Sequence, residues 1–315
     1  MILESKTVKV VCSDMCVTIN NFFSQTNLVR YTIPRFLIAR LLFHTKLLLV
    51  SDYYVKQCYI KIKINKMEKI MDNSEKIVYK AYKKGCDYSY TLGAFPTMEL
   101  IKNKPESVRC VYVHSKYDGS VNIEEVCKEY DIEVRYSDKA INRISTKENC
   151  MIVGIFDKFQ SELINENNHV LLVNPSDMGN MGTIIRSMLG FGIKDLAIIA
   201  PCADIFNPKT VRASMGALFK MRYKIYNSYE EYSKEHGNHD MFPFMLDGDK
   251  TLDIMECPKS SLYTLIYGNE ATGLPSMFKD VGQSIFIPQS PDVDSLNLPI
   301  SVGIGCYVFT NINKL

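Results

Sequence analysis

The sequence predicts an α/β fold: a mostly parallel sheet flanked by helices, preceded by a smaller α/β unit. Three observations carry this. Short apolar, β-prone runs alternate with helical patterns through most of the chain, the pattern of a parallel sheet covered on both faces. Three of the later runs stop at turns of Gly, Asn, Glu, Ser or Arg, and open α/β sheets bind ligands beyond the carboxyl ends of their strands. At 315 residues the chain is also longer than a typical single domain, which favours two.

Residues 1–66 stand apart from the rest. They contain no Gly, one Ala (Ala39) and one Pro (Pro34), with ten Lys/Arg against three Asp/Glu. The whole chain carries +2, so the remainder sums to −5, and an RNA partner must be met by local basic patches. The apolar run over 36–50 is broken by Arg40, His44 and Lys46 and falls short of the roughly 20 residues that span a bilayer. It also lies too far from the terminus for a signal peptide. The expectation is a segment outside the functional domain, with Met67 or Met71 as the natural start.

The first domain is expected over 74–159. A helix entered at Pro96–Thr97, with Thr at the cap, carries Leu100 and Ile101 and stops before Pro105. Strand 108–113, helix 123–129, strand 132–136, helix 139–144 and strand 150–156 follow. Lys80, Lys83, Lys84, Lys102, Lys104, Arg109 and Lys116 make this domain locally basic, with Tyr79, Tyr82, Tyr88 and Tyr90 as stacking candidates for RNA bases. Residues 160–168 are polar and read as a linker.

The second domain, 168–315, is expected to run strand 170–173, helix 181–189, strand 196–199, helix 208–217, strand 222–225 and helix 229–235. Strands 241–246, 262–267 and 284–287 come next, and an apolar helix over 298–309 closes the chain. The ten cysteines include no Cys-x-x-Cys pair and read as reduced, packed thiols of a cytoplasmic protein. The five histidines are scattered. His236 and His239 lie close together, but in a polar, turn-like run, so no metal site is expected.

Each polar turn admits two readings when taken alone. Gly179 and Gly182 flank Asn180 before a helical run. They either bring backbone N–H groups to an anion, with Arg186 one and a half turns on, or form a plain helix start with a surface arginine. Glu270 ends an apolar strand, where an unpaired carboxylate is costly. Arg186 is its candidate partner, or Glu270 is an N-terminal helix charge. Ser295 and Asn297 either face a site or cap the last helix. The chain has neither Gly-x-Gly-x-x-Gly nor Gly-Lys-Ser/Thr, which argues against a nucleotide-dependent oxidoreductase.

Together the three turns are more specific. Asn180-Met-Gly182-Thr-Ile-Ile-Arg186, Gly268-Asn269-Glu270 with Gly273-Leu274, and Ile287-Pro288 followed by Ser295-Leu296-Asn297 resemble, in order and spacing, the SpoU/TrmH family of RNA 2′-O-ribose methyltransferases in the SPOUT superfamily. The segment 211–219 is similar to an intervening family stretch. The resemblance covers about residues 168–311. Residues 74–158 look like the ribosomal-protein-like RNA-binding domain that often precedes it. Asp294 and Ala271-Thr272 depart slightly from the family pattern.

The resemblance implies a trefoil knot in the C-terminal sheet and methyl transfer from S-adenosylmethionine to a ribose 2′-hydroxyl of rRNA or tRNA. It implies that Arg186 orients the hydroxyl, that Asn180, Glu270, Ser295 and Asn297 complete the catalytic wall, and that Gly268, Ile287 and Leu296 contact the methyl donor. It also implies a homodimer with the last helix and the first-motif helix near the interface; the apolar face of Val302, Ile304, Val308 and Phe309 fits that and fits burial within the chain equally well. No membrane partner is expected. The alternative is a non-catalytic RNA-binding protein that retains the fold.

Overall fold

The computed structural model describes residues 78–145, 149–246 and 259–312. The expected extension 1–66 and the start of the first domain lie outside the described residues. Val78–Leu315 form one unit.

Its first sheet holds β1 (Tyr88–Leu92), β2 (Val108–Val113), β3 (Val134–Tyr136) and β4 (Ile152–Asp157) in the order β1-β4-β2-β3. Strand β4 runs antiparallel to both neighbours, while β2 and β3 are parallel. Helices α1 (Ala94–Asn103), α2 (Ile123–Glu129) and α3 (Asp138–Ile144) flank it. Asn122 and Ser137 start α2 and α3 by accepting the Glu125 and Ala140 amides on their side chains.

Sequence reading missed β1. Its Tyr-Ser-Tyr-Thr-Leu pattern buries two hydroxyls, which need specific partners: Ser89 donates to the Phe206 carbonyl, and Thr91 Oγ1 meets Thr97 Oγ1 at 2.7 Å. Thr97 does not cap α1. That helix starts from Gly93, and the Thr97 hydroxyl donates to the Gly93 carbonyl at 2.8 Å.

The second sheet is parallel at every pairing. Strands β5 (His169–Val173), β6 (Asp195–Ile199), β7 (Arg222–Tyr226), β8 (Asp240–Pro243) and β9 (Tyr263–Tyr267) lie in the order β7-β6-β5-β9-β8. The chain runs outward from β5 to β7, crosses to the far edge at β8, and returns to β9 beside β5. The strand order therefore reverses between β5 and β9, where such sheets open a crevice. Helices α4 (Met178–Gly190), α5 (Pro208–Ala213), α6 (Tyr229–His236) and α7 (Leu298–Ile312) accompany it. Val170 and Leu172 share one core with Ile184 and Ile185 of α4 and Val302 of α7, while Leu171 and Val173 pack with Tyr232 of α6 and Phe278. Both faces are covered, which is why these strands read as unbroken apolar runs.

Three boundaries differ from expectation. Helix α4 begins at Met178, so Gly179 and Asn180 lie inside its first turn. Helix α5 ends at Ala213 because Met215 (φ 50°) and Gly216 (φ 83°) turn the chain into a short 3-10 segment at Ala217–Lys220. Residues 284–287 form no full strand: Ile285 makes a single parallel bridge to Phe244, and Pro288 lies three residues on.

The linker 160–168 has no helix or strand, yet it is pinned to the sheet. Ser161 Oγ donates to the Tyr223 carbonyl at 2.8 Å, and Asn168 Oδ1 accepts the Tyr263 amide at 2.9 Å. The expected scatter of histidines is corrected here. His169, His236 and His239 converge, buried, with one ring nitrogen of each within 4.8 Å of the others. His169 Nε2 and His239 Nε2 bond the carbonyls of Ile164 and Asn165, and His236 Nδ1 meets Asn165 Oδ1 at 2.9 Å. Tyr232, Thr264 and Tyr226 hydroxyls engage the remaining ring nitrogens.

The two sheets share packing. Leu100 and Phe156 belong to the same core as α4, and Phe156 meets Phe219 edge-on at 5.2 Å. On α7, Val302, Val308 and Phe309 turn inward, the intramolecular alternative for that apolar face, whereas Ile300 and Tyr307 are each 55% exposed. Among the described residues no helix is long and apolar enough to cross a membrane.

Candidate active site

The crevice between β5 and β9 is organised around one carboxylate. Apolar β9 delivers Gly268-Asn269-Glu270 to its carboxyl end, next to the loop that leads from β5 into α4. Glu270 Oε2 accepts the Ser176 amide at 3.0 Å and the Ser176 hydroxyl at 2.8 Å. Its Oε1 accepts the Asp177 amide at 3.1 Å and Asn180 Nδ2 at 3.3 Å. Burial opposes the charged form of Glu270, but the Ser176 and Asp177 amides outweigh it and hold the carboxyl below its usual range.

Asp177 is the residue before α4, and its Oδ1 accepts the Asn180 amide at 2.8 Å. Its other oxygen meets Lys209 Nζ at 3.1 Å. The Asn180 and Gly179 amides and Lys209 keep Asp177 ionised to low pH. Asp177 thus meets the Asn180 amide of α4, and Glu270 meets the Ser176 and Asp177 amides just before it, where an exogenous anion was one of the expected alternatives.

Asn269 ties the same loops from the other side. Its Nδ2 donates to the Asn174 carbonyl at 2.8 Å, and its Oδ1 accepts the Ala271 and Thr272 amides. Asn269 and Gly273 exchange backbone hydrogen bonds, and Gly273 sits at φ 67°. Any side chain on Gly268 would overlap the Gly273 and Leu274 backbone, so glycine is required for this tight return. Gly182 serves packing. A Cβ there would lie 2.5 Å from the Thr210 carbonyl oxygen and 2.6 Å from Ala213 Cβ of α5.

The expected Glu270–Arg186 pair does not form. Glu270 is satisfied by α4, and Arg186, a turn and a half further along that helix, points into solvent with no ion pair among the described residues. A cleft beside Glu270 is lined by Gly268, Ile287, Ser295 and Leu296, together with Phe244 and Tyr267. Four of the eight expected site residues therefore share that cleft with Glu270, while Asn180 reaches it through Glu270. Asn297 is exposed at the start of α7, where its carbonyl accepts the Ile300 amide at 2.9 Å and the Ser301 amide at 3.1 Å. Sequence reading missed Ser176, Asp177 and Asn269. Asp177, three residues before Asn180, was the one available signal, an N-cap preceding the helix.

In the first domain the expected stacking tyrosines are committed elsewhere. Tyr79 and Tyr90 are buried, Tyr82 donates to Asp204, and Tyr88 lies under the Arg109 guanidinium at 5.0 Å. Arg109 itself pairs with Asp87 and Asp157. Lys80, Lys83, Lys84, Lys102 and Lys116 are exposed.

A parallel sheet with its crevice at the strand-order reversal, closed by Gly-rich returns and a helix-bound carboxylate, defines an α/β ligand-binding domain. Residues 167–307 match the SpoU rRNA Methylase family. A 23S rRNA guanosine 2′-O-methyltransferase of Bacillus subtilis is 29% identical over 142 residues, covering 44% of this chain and 56% of the relative. An uncharacterized tRNA/rRNA methyltransferase of Synechocystis is 27% identical over 139 residues, covering 44% and 51%. The chain spans about half the length of these relatives.

Among solved structures, an S-adenosylmethionine-bound rRNA methyltransferase from Sinorhizobium meliloti superposes with a TM-score of 0.62 at 24% identity, over 72% of this chain and 88% of that one. The SpoU methyltransferase AviRb of Streptomyces viridochromogenes gives 0.63 at 19%, over 72% and 91%. At these identities the likeness is one of fold.

Proposed function

We propose that this protein transfers a methyl group from S-adenosylmethionine to a ribose 2′-hydroxyl of structured RNA, ribosomal or transfer. The observation that carries the reading is the Glu270 bridge, which draws the loops after β5 and β9 together beside the cleft of Gly268, Ile287, Ser295 and Leu296.

The cleft suits the donor chemically: apolar walls from Ile287 and Leu296 would take a purine, and backbone at 268–273 offers polar contacts to sugar and amino-acid ends. When bound, the donor supplies an electrophilic methyl on a sulfonium. Gly268, Ile287 and Leu296 are its holding residues.

Arg186 orients the acceptor hydroxyl or its neighbouring phosphate. A guanidinium is always charged in proteins, so it acts by electrostatic positioning and alignment, and proton removal falls to another acceptor. Its freedom from any carboxylate among the described residues supports this role. Asn180 and Glu270 fix the start of α4 beside the cleft, and Arg186 stands a turn and a half further along that helix, exposed to an incoming RNA. Ser295 supplies a polar group to the cleft, and Asn297 is assigned to its rim from the exposed start of α7.

In this reading 74–159 is the RNA-binding domain, its exposed lysines meeting phosphates, and 168–315 is the methyltransferase domain, with a trefoil knot in its sheet. The protein works as a cytoplasmic homodimer, for which exposed Ile300 and Tyr307 on α7 supply an apolar contact. Mapping 2′-O-methyl sites in total RNA with and without the protein tests the activity. Arg186→Ala should keep donor affinity, measured by calorimetry, and lose at least about a hundredfold in turnover. Wild-type turnover by that variant would remove Arg186 from the mechanism.

A further inference from the structure

Resting on the methyl-donor reading of the cleft, we propose that Phe244 is the adenine-recognition residue, presenting its ring as a stacking platform. Phe244 directly follows β8, and it and Tyr267, the last residue of β9, both line the cleft. Their rings are stacked, with centroids 4.4 Å apart and planes 20° from parallel. Tyr267 is buried and covers one side of the Phe244 ring, while Phe244 keeps part of its surface exposed.

The pair is held from behind. A Cβ on Gly305 of α7 would overlap the Tyr267 hydroxyl and come within 2.8 Å of Phe244 Cζ, so the helix approaches these rings as closely as a glycine allows. Phe309 tilts against Phe244 at 6.3 Å. The backbone fixes the position as well: the Phe244 amide donates to the Ile266 carbonyl at 2.8 Å, and the next amide donates to the Ile285 carbonyl at 2.9 Å. A flat aromatic surface that cannot yield, in a cleft also lined by Ile287, Leu296 and the loop at 268–273, suits a neutral purine. Stacking tolerates any base, so Phe244 supplies affinity for the ring, and hydrogen bonding in the loops has to supply base identity.

The chain contains no tryptophan, so Phe244→Trp introduces a single fluorophore at the platform. Adenosine and S-adenosylhomocysteine should each quench that emission with saturation, and methionine should not. Phe244→Leu keeps apolar bulk and removes the stacking face. It should weaken adenosine and S-adenosylhomocysteine binding, by calorimetry, by roughly 5- to 150-fold. The donor KM should rise with kcat little changed, as expected for a contact made equally in ground and transition states. Thermal melting of both variants reports whether the fold is kept. If folded Phe244→Leu binds adenosine as tightly as the wild type, the platform is wrong although the donor site stands. If the wild type binds neither adenosine nor S-adenosylhomocysteine, the methyl-donor reading itself fails.

Discussion

Glu270 shows how one side chain can carry a site without being positioned to react. Its oxygens accept four hydrogen bonds from residues of α4 and the loop before it, which leaves little capacity for a proton from substrate. Glu270→Gln keeps the shape but replaces an acceptor with a donor facing backbone N–H groups. A loss of about 1–3 kcal/mol is expected in urea unfolding, together with weaker donor binding. That pairing separates it from Arg186→Ala, which should alter turnover alone. The buried histidines give a second residue-scale prediction. Burial pushes His169 down to about 4 from an ordinary 6.5 and lowers His236 as well, against the opposing pull of Asp195. A histidine held neutral contributes fully above pH 6.5 and loses that contribution as pH falls toward 4. For His169 the span is on the order of 3 kcal/mol. Urea midpoints should therefore drop between pH 7 and 5, and His169→Gln should flatten that slope; equal slopes in both proteins would contradict it.

At the level of elements, legibility followed periodicity. Strand β2 and helix α2 were readable to the residue, because one is a clean β-prone run and the other starts at a capping Asn. Strand β1 was not, since Ser89 and Thr91 look polar until the Phe206 carbonyl and Thr97 are placed beside them. The start of helix α4 was read three residues late because Gly179 and Gly182 are poor helix formers; close packing overrides propensity there. The site residues were legible as short motifs, but their partners were not. Glu270 finds Ser176 across 94 positions, and no local pattern encodes that contact. The same packing sets a prediction: Gly182→Ala forces a methyl against the α5 backbone and should cost about 1–3 kcal/mol. Circular dichroism melting would show it, and an unchanged midpoint would mean that the two helices can separate freely.

For the whole molecule, shared packing through Leu100 and Phe156 makes the smaller sheet part of the larger core. The linker adds a second tether, because its Ile164 and Asn165 carbonyls are held by buried histidines. In the proposed reading, the exposed lysines of the first domain are thereby held at a set distance from the crevice. Self-association belongs to this scale as well. For the homodimer proposed above, Tyr307→Lys places a charge on the exposed side of α7 and should shift the protein to monomer in sedimentation, with its melting temperature kept. A variant that sediments like the wild type would rule out that face.

The carboxylates seated on α4 have one further consequence. A helix start is the usual berth for the phosphates of adenine nucleotides, and here the berth is taken by Glu270 and Asp177. ATP or a dinucleotide would bring like charge to like charge, whereas a donor with a cationic sulfur and no phosphate meets attraction. If the cleft holds the proposed donor, it would thus sort among the cell's adenosine derivatives by what they carry beyond the sugar, before any contact with the base is counted.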